Sequence, residues 1–280
     1  MKKGLSAICI LSAVLLLIVT VGCSSADPVL RVNDRQEIAF GRMIEELRGI
    51  RLILIGEEHD RLKDHWFQLK VIKALNDGGI PLAIGLEMFT ADNQRDLDNW
   101  IAGKMDEEEF AGRFQHNWIV PWPMYRHIFI YARQHAIPLV GLNVAREITR
   151  KVAREGFAAL TPGERKELPE AITCDVDAAY MTLVRRAFAA HGQGDKLFVR
   201  FCEAQMIWNK AMAWRLQEYM RGNPGKTVVV ITGKGHAMKP GIPREIRNDG
   251  SVQYRVILPE DEIFKRGSVT VADTDYLFMR

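Results

Sequence analysis

Cysteine is scarce, with four in 280 residues, at positions 9, 23, 174 and 202. None stands in a Cys-x-x-Cys or other thiol-ligand spacing, which argues against a cysteine zinc site. Cys174 and Cys202 could pair in an oxidising compartment, but two cysteines alone do not decide it. There is also no excess of either charge: 38 Lys+Arg stand against 35 Asp+Glu. That balance gives no electrostatic footprint for nucleic acid. The phosphate loop Gly-x-x-x-x-Gly-Lys-Ser/Thr is missing, as are a Gly-x-Ser-x-Gly elbow and a Gly-x-Gly-x-x-Gly turn after the first buried strand. His59 and His65 lie six apart, so the i, i+4 pairing of a helical zinc site is absent too. No internal repeat, low-complexity tract or interdomain linker is present.

The one long apolar run lies at the start. Met1-Lys2-Lys3 is followed by apolar sequence from Leu5 to Gly22 and then Cys23-Ser24-Ser25. A short basic region, an apolar core and small residues before a cysteine read as a secretory signal with lipidation at Cys23, although Thr20 stands where such signals usually carry leucine. A membrane-spanning anchor is the alternative, since 18 residues is near the lower limit for crossing a bilayer. With Ser24 after the cysteine, a Gram-negative host would pass the protein to the outer membrane. Residues 1–22 are thus read as signal, 23–33 as a tether and 34–280 as one domain. Losing residues 1–22 leaves 36 Lys+Arg against 35 Asp+Glu.

The pattern beyond residue 33 alternates between helix and buried strand, predicting an α/β fold with a mainly parallel central sheet flanked by helices. Strands are predicted at 51–56, 82–87, 137–143, 227–232 and 252–258, and the segment 267–280 as an edge strand. Helices are predicted at 34–48 with Asp34 as N-cap, at 59–76 with Trp66, Leu69, Ile72 and Leu75 on one face, in two pieces over 91–114, and at 124–135. From about 146 to 221 only helices are predicted, one running from Phe198 to Met220. This large helical insertion before the fourth predicted strand is of the kind that carries a binding surface or lid.

Three predicted strands end in chemistry. Leu52-Ile53-Leu54-Ile55 runs into Gly56-Glu57-Glu58-His59-Asp60, Leu82 to Leu86 closes on Glu87, and Val228 to Ile231 leads through Thr232-Gly233-Lys234-Gly235 to His236. The sheet would gather Glu57, Glu58, His59, Glu87 and His236 at one rim. Two imidazoles and several carboxylates there suit general acid/base work, or a divalent metal held by Glu58, His59, Glu87 and His236. Each residue alone has a plainer reading, as a helix cap or a hydrogen-bonded structural histidine.

In the insertion, Tyr180, Val184 and Phe188 are spaced i, i+4, i+8. They are either a core stripe or, through the tyrosine phenolate, a ligand for ferric haem, with Arg185, Arg186 and His191 meeting propionates. Gln205, Trp208, Asn209 and Met212 form an aromatic, soft stretch that suits core packing or a flat apolar ligand.

Taken together, Ile55-Gly56-Glu57-Glu58-His59-Asp60, Gly85-Leu86-Glu87-Met88-Phe89, Gln94 with Leu97-Asp98 and Trp100, Gly141-Leu142-Asn143, Ala204-Gln205 with Trp208 and Met212-Ala213, Gly233-x-Gly-His236 and Gly241-Ile242-Pro243 resemble the ChaN-like haem-binding lipoprotein family. The resemblance spans about residues 35–260. It implies haem as ligand, a role in iron uptake at the cell envelope, and an outer-membrane haem receptor or transporter as partner. It also implies a homodimer in which haem is held as a face-to-face pair by tyrosine. Tyr180 is the first choice for that ligand, with Tyr125 and Tyr219 behind it. The cofactor-binding set is then Tyr180, Arg185, His191, Gln205, Trp208 and Met212. Asn209 stands where the family's Trp-Asp-x-x-Met-Ala pattern has aspartate. The family also resembles Tiki- and TraB-type metalloproteases and erythromycin esterases, which makes a hydrolase using Glu57, Glu58, His59, Glu87 and His236 the alternative.

Overall fold

The structure, a computed structural model, describes residues 28–170, 172–176, 178–187, 195–246 and 252–279; Cys23 with its signal segment, and His191, lie outside them. In chain order the elements are β1 (Val29–Arg31), β2 (Gln36–Ile38), α1 (Phe40–Leu47), β3 (Leu52–Glu57), α2 (Leu62–Asp77), β4 (Leu82–Thr90), α3 (Gln94–Ile101), α4 (Glu107–Asn117) and α5 (Trp122–Gln134). They continue with β5 (Leu139–Asn143), α6 (Arg146–Glu155), α7 (Pro162–Arg165), α8 (Ala178–Ala187), α9 (Asp195–Gly222), β6 (Thr227–Gly233), α10 (Lys234–Ala237), α11 (Ile242–Ile246), β7 (Tyr254–Pro259) and β8 (Tyr276–Phe278).

One sheet runs in the order β2-β1-β8-β7-β3-β6-β4-β5. The pairings from β8 to β5 are parallel, and β1 and β2 close one edge antiparallel. The β-branched run Val228-Val229-Val230-Ile231 suits the centre, where both faces are covered. Alternation along the strands divides two cores. Ile53, Ile55, Ile84, Leu86, Val229 and Ile231 face helices α1 to α5. Leu52, Leu54, Ala83, Val228 and Val230 face the other way, onto Met212, Leu216 and Met220 of α9. The helical insertion is α6 to α9, with α6 laid along α9 over a smaller apolar cluster.

The register decides where the chemistry falls. Glu57 pairs with Gly233, Gly56 with Thr232, and Leu86 with Ile231, so β3, β6 and β4 deliver their ends at one level. Gln94 fixes the neighbouring strand by clamping β5, donating to the Leu139 carbonyl at 2.8 Å and accepting from the Gly141 amide at 2.9 Å.

Several expectations are corrected. Val29–Arg31, assigned to the tether, is a strand with Val29 and Leu30 in the core. Asp34 caps no helix: it accepts from Arg31 at a turn, and α1 starts only at Phe40. The C-terminal segment does add a strand, β8, but it lies inside β1 rather than at the edge. Trp66 leaves the apolar face of α2 and stacks at the surface on His127, ring centroids 4.1 Å apart. The pairing of Cys174 and Cys202, which the sequence leaves open, is not formed: both are free thiols.

Candidate functional site

Glu57 is the last residue of β3 and is 1 % exposed. A buried carboxylate needs donors, and four converge on it. His59 Nδ1–H reaches Oε1 at 2.9 Å, and the Tyr125 hydroxyl donates to the same oxygen. Gln68 Nε2 donates to Oε2 at 2.7 Å, and His65 Nδ1 lies 3.2 Å from it. The other nitrogen of His65 donates to the His59 carbonyl at 3.0 Å, so both ends of that buried ring face acceptors, the arrangement of an imidazolium. Burial alone would raise the Glu57 pKa, but the hydrogen bonds from His59 and His65 outweigh it and hold the carboxyl well below its usual range. Burial and the Glu57 charge push the Tyr125 phenol far up, keeping it neutral.

His59 stands on this base between two carboxylates. Burial lowers its pKa, yet the bond to Glu57 and the Glu87 charge overcome that and raise it to about 9. The ring meets Trp118 edge-on, centroids 5.0 Å apart. It also lies flush on Gly233: a Cβ there would be 2.9 Å from His59 Cε1. Gly233 has φ −55° and ψ 142°, which any residue adopts, so glycine is needed for space and not for backbone freedom.

Glu87, on β4, is pinned through Oε2 by the Thr232 hydroxyl at 2.6 Å and the Gly233 amide at 2.7 Å. Its Oε1 lies 3.6 Å from His236 Nε2. His236 Nδ1–H donates to Asn209 Oδ1 at 2.7 Å, which leaves Nε2 with its lone pair. Burial holds the His236 pKa down, so this ring is neutral where His59 is cationic. Gly241 closes the turn behind it, where a Cβ would fall 2.3 Å from the His236 carbonyl.

Above these groups opens a cleft of about 720 Å³, within the ~300–1,000 Å³ usual for small-molecule sites. Its floor is the strand-end cluster; one wall is Trp118, Ile119 and Val120. The others are two helical stripes, Arg146, Thr149, Arg150 and Ala153 of α6, and Phe201, Ala204, Gln205 and Trp208 of α9. Both stripes have the i, i+3, i+4, i+7 spacing of a single helix face.

Of the residues singled out from the sequence, Glu57, Glu58, His59, Glu87, His236, Gln205 and Trp208 do converge on this cleft. The metal set is not supported: among the described residues no group of three or more His, Cys, Asp or Glu side chains is placed to hold a metal ion. The donors are otherwise engaged, His59 by its proton and Glu87 Oε2 by two hydrogen bonds, while Glu58 is paired with Lys234 at 2.7 Å and with Arg61. Met212 is fully buried against the sheet and is not part of this cleft's lining. Arg185 lies over the Phe198 ring, 4.0 Å from its centroid. Tyr125 is buried as a neutral phenol, and Tyr219 packs against the core further along α9. The Tyr180 side chain and all of His191 lie outside the described residues. Sequence reading missed the support of Glu57 by His65, Gln68 and Tyr125, and the α6 stripe.

The chain resembles several known proteins. Its fold superposes on ChaN of Campylobacter jejuni, a structure described as showing cofacial haem binding, with TM-score 0.69, 20 % identity, and coverage of 89 % of this chain and 95 % of that one. An erythromycin esterase, EreC, in its open conformation shares the fold more distantly, with TM-score 0.51, 14 % identity, and coverage of 79 % and 72 %. In sequence, 131 residues are 26 % identical to the chloroplastic protein RETICULATA-RELATED 5 of Arabidopsis thaliana. That match takes in 45 % of this chain, which spans only 18 % of the relative's length. Residues 43–246 match the profile of the family described as haem-binding uptake, Tiki superfamily, ChaN, and the chain belongs to that haem-binding family.

Proposed function

We propose that this chain binds haem in the cleft between the strand ends and helices α6 and α9, as a lipid-anchored protein of the cell envelope serving iron or haem uptake. The observation that carries the reading is the cleft itself. Trp118, Phe201 and Trp208 give it aromatic walls for a flat macrocycle, and Arg146 and Arg150 give it cations for the macrocycle's carboxylates. Haem supplies the iron that uptake would deliver. This chain's residues would supply the slot, the charge and an oxygen ligand for the iron, for which Tyr180 is the proposed residue. Anchoring through Cys23, residence at the outer membrane, a homodimer around paired haems and hand-over to a receptor or transporter complete the proposal.

Absorbance titration of the full-length chain in detergent with ferric haem tests it. Saturation near one haem per chain supports the reading, and loss of the tyrosinate-type spectrum in Tyr180→Phe supports the ligand. No saturable shift contradicts it.

One observation favours a second reading, a hydrolase. His59 and His236 face one cleft with pKa values moved in opposite directions, which is how an acid and a base are set side by side. There His236 Nε2 would take a proton from water while His59 protonates the leaving group. Turnover of aryl esters that is lost in His236→Ala, with haem affinity unchanged, would favour it.

A further inference from the structure

Helix α2 turns an outer face to solvent whose composition neither the core nor the cleft explains. Leu62, Trp66, Lys70, Lys73 and Asp77 follow one another at steps of three or four, the spacing of one helical stripe, and Lys63 borders it. Leu62 and Trp66, one turn apart, are 42 % and 51 % exposed, and the indole lies flat on His127 of α5. Lys63 and Lys73 are exposed, and among the described residues neither pairs with a carboxylate. Lys70 and Lys73 lie over the Phe40 and Tyr131 rings, 4.3 and 5.3 Å from the centroids. Asp64, the one acid between Leu62 and Lys73, is fully buried and accepts from the Glu58 amide at 2.9 Å. Over that stretch the face therefore presents three lysines and no carboxylate. The exposed charges are also set against the helix dipole, with Lys63 in the first turn and Asp77 in the last. Two large apolar side chains beside a row of lysines match the headgroup layer of an anionic bilayer, where an indole settles and ammonium groups meet lipid phosphates.

We infer that the outer face of α2 docks on an anionic lipid surface, with Leu62 and Trp66 at the headgroup level and Lys63, Lys70 and Lys73 against the phosphates. This holds whatever the cleft binds. The apolar end of the stripe is the end near the cleft: Asp60, two residues before Leu62, lines it, and the exposed Ile119 of its wall stands in the loop leading into α5. Docking brings this side of the cleft close to the bilayer, the phase into which an apolar ligand partitions.

The test reconstitutes the full-length chain into phosphatidylcholine vesicles with and without phosphatidylglycerol, all carrying lipids brominated high on the acyl chain, and reads quenching of tryptophan fluorescence. Phosphatidylglycerol should bring on a quenching that added salt reverses, and Trp66→Phe should remove it. Each lysine lost should weaken docking about fivefold. Lys63→Gln with Lys73→Gln should therefore lose most of the quenching, and Lys63→Arg with Lys73→Arg should keep it. These side chains are exposed, so their replacement leaves the fold intact, and a thermal melt verifies this. Quenching that is absent from both kinds of vesicle, that is equal without phosphatidylglycerol, or that persists in Trp66→Phe overturns the inference. So does shielding of Trp66 from iodide that grows with protein concentration in detergent, because a second copy of the chain would then cover the face.

Discussion

Replacing Glu57 by glutamine keeps the shape of the cluster's centre and removes its charge. The carboxylate takes hydrogen bonds from four side chains, and His65, fully buried, has no other anion against it in this network. Breaking one side of a buried pair costs about 3–5 kcal/mol. The lower end, about 3 kcal/mol, is expected, because His65 can release its proton once its partner is neutral. At ~2–4 °C per kcal/mol for a protein of this size, the melting temperature should fall by ~6–12 °C. The pH dependence has a definite sign. The Glu57 pKa is depressed from its ordinary 4.5, so its contribution is present above that value and lost as pH falls through the folded one. The His59 and His65 pKa values are raised from 6.5, so their contributions are complete below 6.5 and lost as pH rises, for His59 between 6.5 and about 9. The gap between wild type and Glu57→Gln should therefore be widest between pH 4.5 and 6.5 and shrink toward pH 9. Thermal denaturation followed by circular dichroism at pH 5.5, 7 and 9 reads this directly. A difference below about 1 kcal/mol at pH 5.5, or one that grows on the alkaline side, refutes the reasoning.

Gly233→Ala should leave the backbone as it is and push His59 off Glu57, so that the His59 pKa, followed by NMR, drops from about 9 toward 6.5; an unchanged titration contradicts the contact. Asn209→Asp places a carboxylate on His236 Nδ1 and should turn the neutral ring into an imidazolium at pH 7, visible in the ¹⁵N shift of Nε2, whereas a ring that stays neutral would show that Asn209 does not set its state. Tyr125→Phe removes one of the donors to Glu57 and should cost about 1–2 kcal/mol in chemical denaturation, with the cleft unaltered.

The buried strands could be read from the sequence because their apolar runs are uninterrupted and each closes on glycine and polar residues; register then made neighbours of Glu57, Glu87 and His236. β1 was missed because three residues give no period, and its pairing with β8 is a contact across nearly the whole chain. The support of Glu57 was hidden for a similar reason: Gln68 and His65 come from α2 and Tyr125 from α5, and nothing local links them. Met212 shares the soft, aromatic stretch of Trp208, yet one further helical turn carries it under the sheet and out of the cleft. The α6 stripe has helical spacing but mixed polarity, so a search for apolar periodicity passes over it. Tyr180 rests on its i, i+4, i+8 spacing with Val184 and Phe188 and on the family resemblance, and its side chain, like all of His191, lies outside the described residues.

The central claim, that haem occupies this cleft, is tested most directly by filling the cleft. Ala153 is half-buried in the wall of α6, and Ala153→Trp would project an indole into the slot. Ferric haem titrated into the full-length wild type should give a saturable absorbance shift near one equivalent per chain, and the same titration of a folded Ala153→Trp protein should give none. Equal binding by the two proteins would contradict the account and place haem elsewhere on the chain.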